Sequence, residues 1–172
     1  MPSLLRTAAL IACLTGVAHA LPANLARVDG KVWRSAQPTA ADFTELRQQG
    51  ITTVLNLREW HNDASKTDSS TLSLQRVRMN AGSIPEKDLI RAVKLLKDAP
   101  GPVLVHCWHG SDRTGTVVAL YRMAVQGWTR EQAIAEFTDP RYGYHASFYP
   151  NLRRYLEQVD VGNFRRELAR KD

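Results

Sequence analysis

Apolar positions along the chain follow two alternating rhythms. Short runs of aliphatic and β-branched residues occur at 32–34, 51–57, 74–79 and 103–106, the pattern of strands. Between them the spacing becomes helical. Residues 39–49 start at Pro38-Thr39, stop at Gly50 and carry Phe43 and Leu46 on one face. Ser83-Ile84-Pro85-Glu86 reads as a capping box with proline inside it. It opens a helix running to Asp98, with Leu89, Val93 and Leu96 aligned. Ala99-Pro100-Gly101-Pro102 ends that helix. Residues 116–126 are apolar nearly all round, as a buried helix should be. Thr129 caps a helix over 130–137, and further helices are expected over 152–159 and 164–170. The polar stretch 60–70 reads as a loop or short helix.

Helices alternating with short strands predict one α/β domain with a central, mostly parallel sheet flanked by helices. No repeat or linker divides the chain. In such a sheet, sites lie beyond the carboxyl ends of the strands.

The first 20 residues do not fit that domain. A short basic start ending at Arg6, an apolar run over 7–17 and Ala18-His19-Ala20 form the pattern of a cleavable export signal. Cleavage after Ala20 leaves residues 21–172 as the domain and implies a periplasmic or secreted protein. The apolar run is too short for a comfortable membrane span. Leu10-Ile11-Ala12-Cys13 also resembles a lipidation site at Cys13, which is the less favoured reading. Without the signal, Cys107 is the one cysteine left of the chain's 2, so no disulfide framework exists. The net charge of +6 suits an anionic substrate. No basic–aromatic stripe supports a nucleic-acid partner.

The chemistry concentrates in His106-Cys107-Trp108-His109-Gly110-Ser111-Asp112-Arg113-Thr114-Gly115, between a strand and a helix. A loop closing onto a helix start points unpaired N–H groups and the positive end of the dipole at one spot. Gly110 permits the bend. The amides of Trp108, His109, Gly110 and Ser111, with the forked guanidinium of Arg113, are expected to hold a phosphate. A cysteine in that field is favoured as thiolate and becomes a nucleophile. His106 is expected to order the loop from behind. Thr114 is expected to donate its hydroxyl to the thiolate. The ATP-type phosphate loop is excluded, because the one Gly-Lys pair, Gly30-Lys31, precedes Val32. Histidines 61, 106, 109 and 145 with one cysteine show no metal-ligand spacing, so neither metal nor cofactor is expected.

His-Cys-x-x-Gly-x-x-Arg-Thr-Gly resembles the signature of cysteine-dependent protein tyrosine and dual-specificity phosphatases. The likeness extends to Val32-Trp33-Arg34-Ser35-Ala36-Gln37-Pro38, to Gly50 through Arg58, and to Gly127-Trp128 with Glu131 and Ala133. It covers roughly residues 28–160 and is closest in character to small secreted bacterial members. It implies a dual-specificity-phosphatase-like fold and metal-free hydrolysis of phosphomonoesters through a phosphocysteine. Most of this family carries an acidic proton donor some thirty residues before the cysteine. Here Asn80 stands about there, in a stretch with no aspartate. Asp112 is therefore expected to be the general acid, a placement shared by myotubularins and some secreted bacterial phosphatases. Asp63, Asp68 and Asp88 are the alternatives. Trp108 either walls the site for an aryl phosphate or packs on the domain, and packing is favoured. Arg34, Arg58 and Arg141 are candidates for the cleft. The loop lacks the paired lysines that resemble a phosphoinositide pocket. The expected partner is therefore a phosphorylated protein, phosphotyrosine above all. A lipid or metabolite phosphatase and a non-catalytic phosphate-binding module remain as alternatives.

Overall fold

The computed structural model describes residues 21–67 and 72–170. The export signal, the lipidation alternative at Cys13 and Asp68 lie outside the described residues. Five strands form one sheet: β1 (Ala26–Arg27), β2 (Val32–Ser35), β3 (Thr53–Arg58), β4 (Ser73–Met79) and β5 (Val103–His106), in the order β1-β2-β5-β3-β4. Strands β2, β5, β3 and β4 run parallel, and only β1 pairs antiparallel. The expected α/β architecture with a mostly parallel central sheet is found.

Among the described residues six α-helices cover the two faces: α1 (Ala40–Gln48), α2 (Glu86–Asp98), α3 (Asp112–Ala124), α4 (Arg130–Phe137), α5 (Pro150–Gln158) and α6 (Val161–Ala169). Strand residues alternate between faces, so each face has its own core. Val54 and Leu104 meet Phe43 and Leu46 of α1. Leu55, Leu57, Val103 and Val105 meet the larger core on α2 and α3. Helix α3 touches α2, α4, α5 and α6, which explains its apolar residues on every side.

The starts of α3 and α2 differ from the sequence reading for physical reasons, and smaller shifts occur at β3, α5 and α6. Helix α3 begins at Asp112, four residues before its apolar run, so the polar stretch ending in Thr114-Gly115 is its first turn. Helix α2 begins at Glu86, behind Pro85, and no side-chain cap forms. Ser83 instead turns back on Asn80, donating its N–H to the Asn80 carbonyl at 3.0 Å. The described part of 60–70 is a loop of turns and bends, the first of the two forms expected there. Among the described residues no helix is long and apolar enough to cross a membrane.

Candidate active site

Strand β5 lies between β2 and β3, and its carboxyl end delivers Cys107 to the mouth of the sheet, 1% exposed. The three following carbonyls all turn outward. Trp108 O accepts from Gln37 N at 3.0 Å, His109 O from Asn24 Nδ2 at 2.8 Å and Gly110 O from Arg34 Nη2 at 2.8 Å. In a trans peptide the next N–H points the opposite way. The N–H groups of His109, Gly110 and Ser111 therefore converge inward, and the start of α3 adds its dipole. Gly110 has φ +74°, and a Cβ there would sit 2.5 Å from the Ser35 backbone. Only glycine lets the loop lie that close to β2.

The loop is braced from behind by buried charge. Arg34 is 1% exposed, stacks at 3.7 Å on Tyr142 and holds the loop through Gly110 O. It supports the site and does not line it. His106 lies behind the loop: Nδ1 reaches Cys107 O at 3.1 Å and Nε2 reaches Asp63 Oδ2 at 2.9 Å. The two contacts hold the ring in place directly behind Cys107.

Asp63 also accepts from Gln37 and Asn56, at 2.9 and 3.0 Å. Burial pushes its carboxyl up, but the bond and charge of His106 and the two amides outweigh that and hold it below the usual 3.8. A buried carboxylate bound on both oxygens is not a proton donor, so Asp63 is removed as a candidate acid. A depressed folded-state pKa gives stability that is present above the unfolded value and lost as pH falls through the folded one. Asp63→Asn should cost about 1–3 kcal/mol at neutral pH. Its deficit against the wild type should shrink below about pH 4. Urea melts at pH 7 and pH 3 check this, and an equal deficit at both would contradict it.

Arg113 donates from Nη1 to Met79 O at 3.3 Å, while its buried Nε has no partner in the protein. Arg113 thus keeps a buried donor still to be satisfied, as an oxyanion would satisfy it. The expected bond from Thr114 is not made: its Oγ1 is buried and unpaired. Ser111 precedes the first helical residue, is 2% exposed and makes no side-chain cap, so its part is its amide.

A cleft of about 610 Å³ opens over the loop, lined by Arg58, Asn80, Trp108, His109, Asp112, Arg113 and His145 among others. Arg58 lies 4.2 Å over the Trp108 ring. Trp108 is half exposed, so it walls the cleft and is not packed into the domain as expected. Arg141 pairs with Asp139 outside the cleft. Asn80, at the sequence position where the resemblance leads one to expect an acid, lines the cleft, and its Oδ1 accepts from Gly82 N at 2.9 Å. Glu86 and Asp88 do not line the cleft.

Asp112 faces the cleft but is covered. Its Oδ1 accepts from the His145 backbone N–H at 3.0 Å and its Oδ2 from His145 Nδ1 at 2.8 Å. No motif marks this partner, which lies 33 positions away in an aperiodic segment. His109, Asp112 and His145 each bring one possible ligand atom to within 4.8 Å of the others. Linear spacing could not reveal that trio. Both Asp112 oxygens are already taken, and Arg58 and Arg113 share the cleft. The trio therefore suits handling a proton better than holding a cation.

A buried cysteine in an amide cradle, with a guanidinium fork at a helix start, defines a cysteine-dependent phosphatase. The model of the tyrosine phosphatase family matches residues 20–167, and the chain belongs to that family. It is accordingly an enzyme that hydrolyses phosphomonoesters through its cysteine. The dual specificity protein phosphatase TpbA of Pseudomonas aeruginosa is 28% identical over 148 residues, 85% of this chain and 67% of the relative. The inositol diphosphatase DSP4 of Arabidopsis thaliana is 26% identical, over 84% of this chain and 75% of the relative. A crystal structure of P. aeruginosa TpbA in complex with pTyr superposes with a TM-score of 0.78 at 27% identity, covering 86% of this chain and 91% of the other.

Proposed function

We propose that the protein is a phosphotyrosine phosphatase with Cys107 as nucleophile and Arg113 as phosphate clamp. The observation that carries the substrate reading is the rim of the cleft. Trp60, Trp108 and Phe148 are 82%, 51% and 78% exposed, and all three line it. Exposed aromatics around a deep anion site fit an aryl phosphate presented on a protein surface. A small polyanion would gain little from them. The pTyr complex of TpbA supports the same reading.

In the first step the Cys107 thiolate attacks phosphorus and the tyrosyl oxygen leaves with a proton. In the second, water cleaves the S–P bond and the thiolate returns. The amides of the loop and Arg113 stabilise the equatorial oxygens in both. Proton transfer belongs to the Asp112 side of the cleft. Phosphate release from a phosphotyrosine peptide should exceed that from phosphoserine peptides and inositol phosphates. Trp108→Ala should raise KM for the phosphotyrosine peptide about tenfold, the worth of one lost apolar contact. Equal rates on all three substrate classes would contradict the assignment.

We also propose that residues 1–20 are an export signal and that the enzyme works outside the cytoplasm. A +5 mature chain with Cys107 as its only thiol supports this, since no second cysteine can form a wrong disulfide there. N-terminal sequencing of the processed protein is expected to begin at Leu21. A protein retaining Met1 in the cytoplasm would contradict it.

A further inference from the structure

We propose that His145 is the general acid and base of this site, with Asp112 acting through it as a positioning residue. This rests on the phosphatase reading above and names the group that moves the proton.

The geometry sorts the two residues. The Asp112 side chain is 7% exposed and that of His145 37%. Both carboxylate oxygens point at His145, one to its backbone N–H and one to its ring. A carboxylate can only accept, so Nδ1 carries the proton of the 2.8 Å bond. That fixes the tautomer and leaves Nε2 as the nitrogen that can face the cleft. A buried acid gripping a half-exposed imidazole by Nδ1 is the arrangement by which a carboxylate orients a histidine and stabilises its charged form. The upstream segment offers only the amide of Asn80, so the cleft otherwise lacks a donor from that side.

Asp112 faces His145 from α3, and His109 faces it from the loop with ring centroids 5.0 Å apart. Arg113, Arg58, Glu59 and His61 share the cleft, and Tyr149 lies on the same segment as His145. The phosphate dianion offsets the two guanidiniums, so the imidazolium meets a substrate of opposite charge.

The protons balance. As the S–P bond forms and the P–O bond breaks, the Nε2 proton passes to the leaving oxygen and His145 becomes neutral. Neutral Nε2 then takes a proton from water as the water oxygen attacks phosphorus. The thiolate leaves, and inorganic phosphate departs from a reprotonated His145.

The test is the pH dependence of kcat and KM on phenyl phosphate, a poor leaving group, and on nitrophenyl phosphate, a good one. The full chain, His145→Gln, His109→Gln and Asp112→Asn are compared. His145→Gln should lose about 100-fold in kcat on phenyl phosphate, the scale of a lost general acid. It should lose under about fivefold on nitrophenyl phosphate, whose oxygen leaves without help. Its alkaline limb should vanish on phenyl phosphate. Asp112→Asn should keep that limb and lose less kcat than His145→Gln, because it removes the group that holds the ring and not the ring itself. Phosphate release from Cys107→Ser is the blank, and melting curves confirm that each variant is folded. Four results would overturn the proposal. One is equal slowing of both substrates by His145→Gln. Another is a limb lost in Asp112→Asn but kept in His145→Gln, which would make Asp112 the direct acid. A third is a limb lost only in His109→Gln. The last is activity removed by a chelator and restored by zinc, which would make the trio a metal site. Wild-type protein inert on both esters would instead sink the phosphatase reading itself.

Discussion

Replacing Cys107 by serine is expected to remove phosphate release almost entirely, by on the order of 10⁵–10⁶-fold in kcat, as losing a nucleophile does in enzymes whose groups act as a unit. The reasons are local. Cys107 is the buried residue that the inward amides, the His106–Asp63 pair and the start of α3 all surround. Inward amides and a helix start suit an anion, and neither makes a serine hydroxyl acidic enough to serve. The oxygen is smaller than sulfur and the site is already polar, so the fold should survive. Retained affinity for phosphate analogues together with lost turnover is the expected pattern. A serine variant within about tenfold of wild type would mean the chemistry lies elsewhere.

Arg113→Ala carries the second largest expected effect, about 10³-fold in kcat, the loss found when a preorganised donor to a developing oxyanion is removed. Its Nε is buried with no protein partner, and only Nη1 is spent on Met79 O. Most of its donors thus remain for a phosphate, and stability should change little without one bound. Arg113→Lys should recover only a small part, because an ammonium is a point charge and cannot span two oxygens. Steady-state kinetics of the three proteins on one aryl phosphate check this. Near-complete rescue by lysine would show that charge alone matters at this position.

What the sequence disclosed and what it hid follow from chain distance. His106 through Arg113 was legible because nucleophile, bend and clamp are contiguous, and the strand before them is a clean aliphatic run. The α3 start is hidden because its first turn is polar, which silences the helical period until Thr116. Strand β1, two residues long, leaves no periodicity at all. Ser83 had the spacing of a cap, but a turn with Asn80 claims it. Trp108 is amphipathic, and composition alone could not separate a packed ring from a cleft wall. Asp63 is an acid candidate by composition, but the fold sets it to hold His106. Long-range partners were invisible: Asn24 reaches His109 O across 85 positions and His145 grips Asp112 across 33. The phosphate cradle is thus written locally, whereas the proton path is assembled by the fold.

The central claim is that phosphate passes through a covalent bond to Cys107. It is tested most directly by acid-quenching the enzyme within milliseconds of mixing with a phosphotyrosine peptide and mapping the phosphorylated fragment by mass spectrometry. A phosphoryl group on Cys107, formed in a burst before steady state and missing in Cys107→Ser, is the predicted result. Hydrolysis that proceeds with no adduct, or with the phosphoryl group on His106, His109 or His145, would contradict the account.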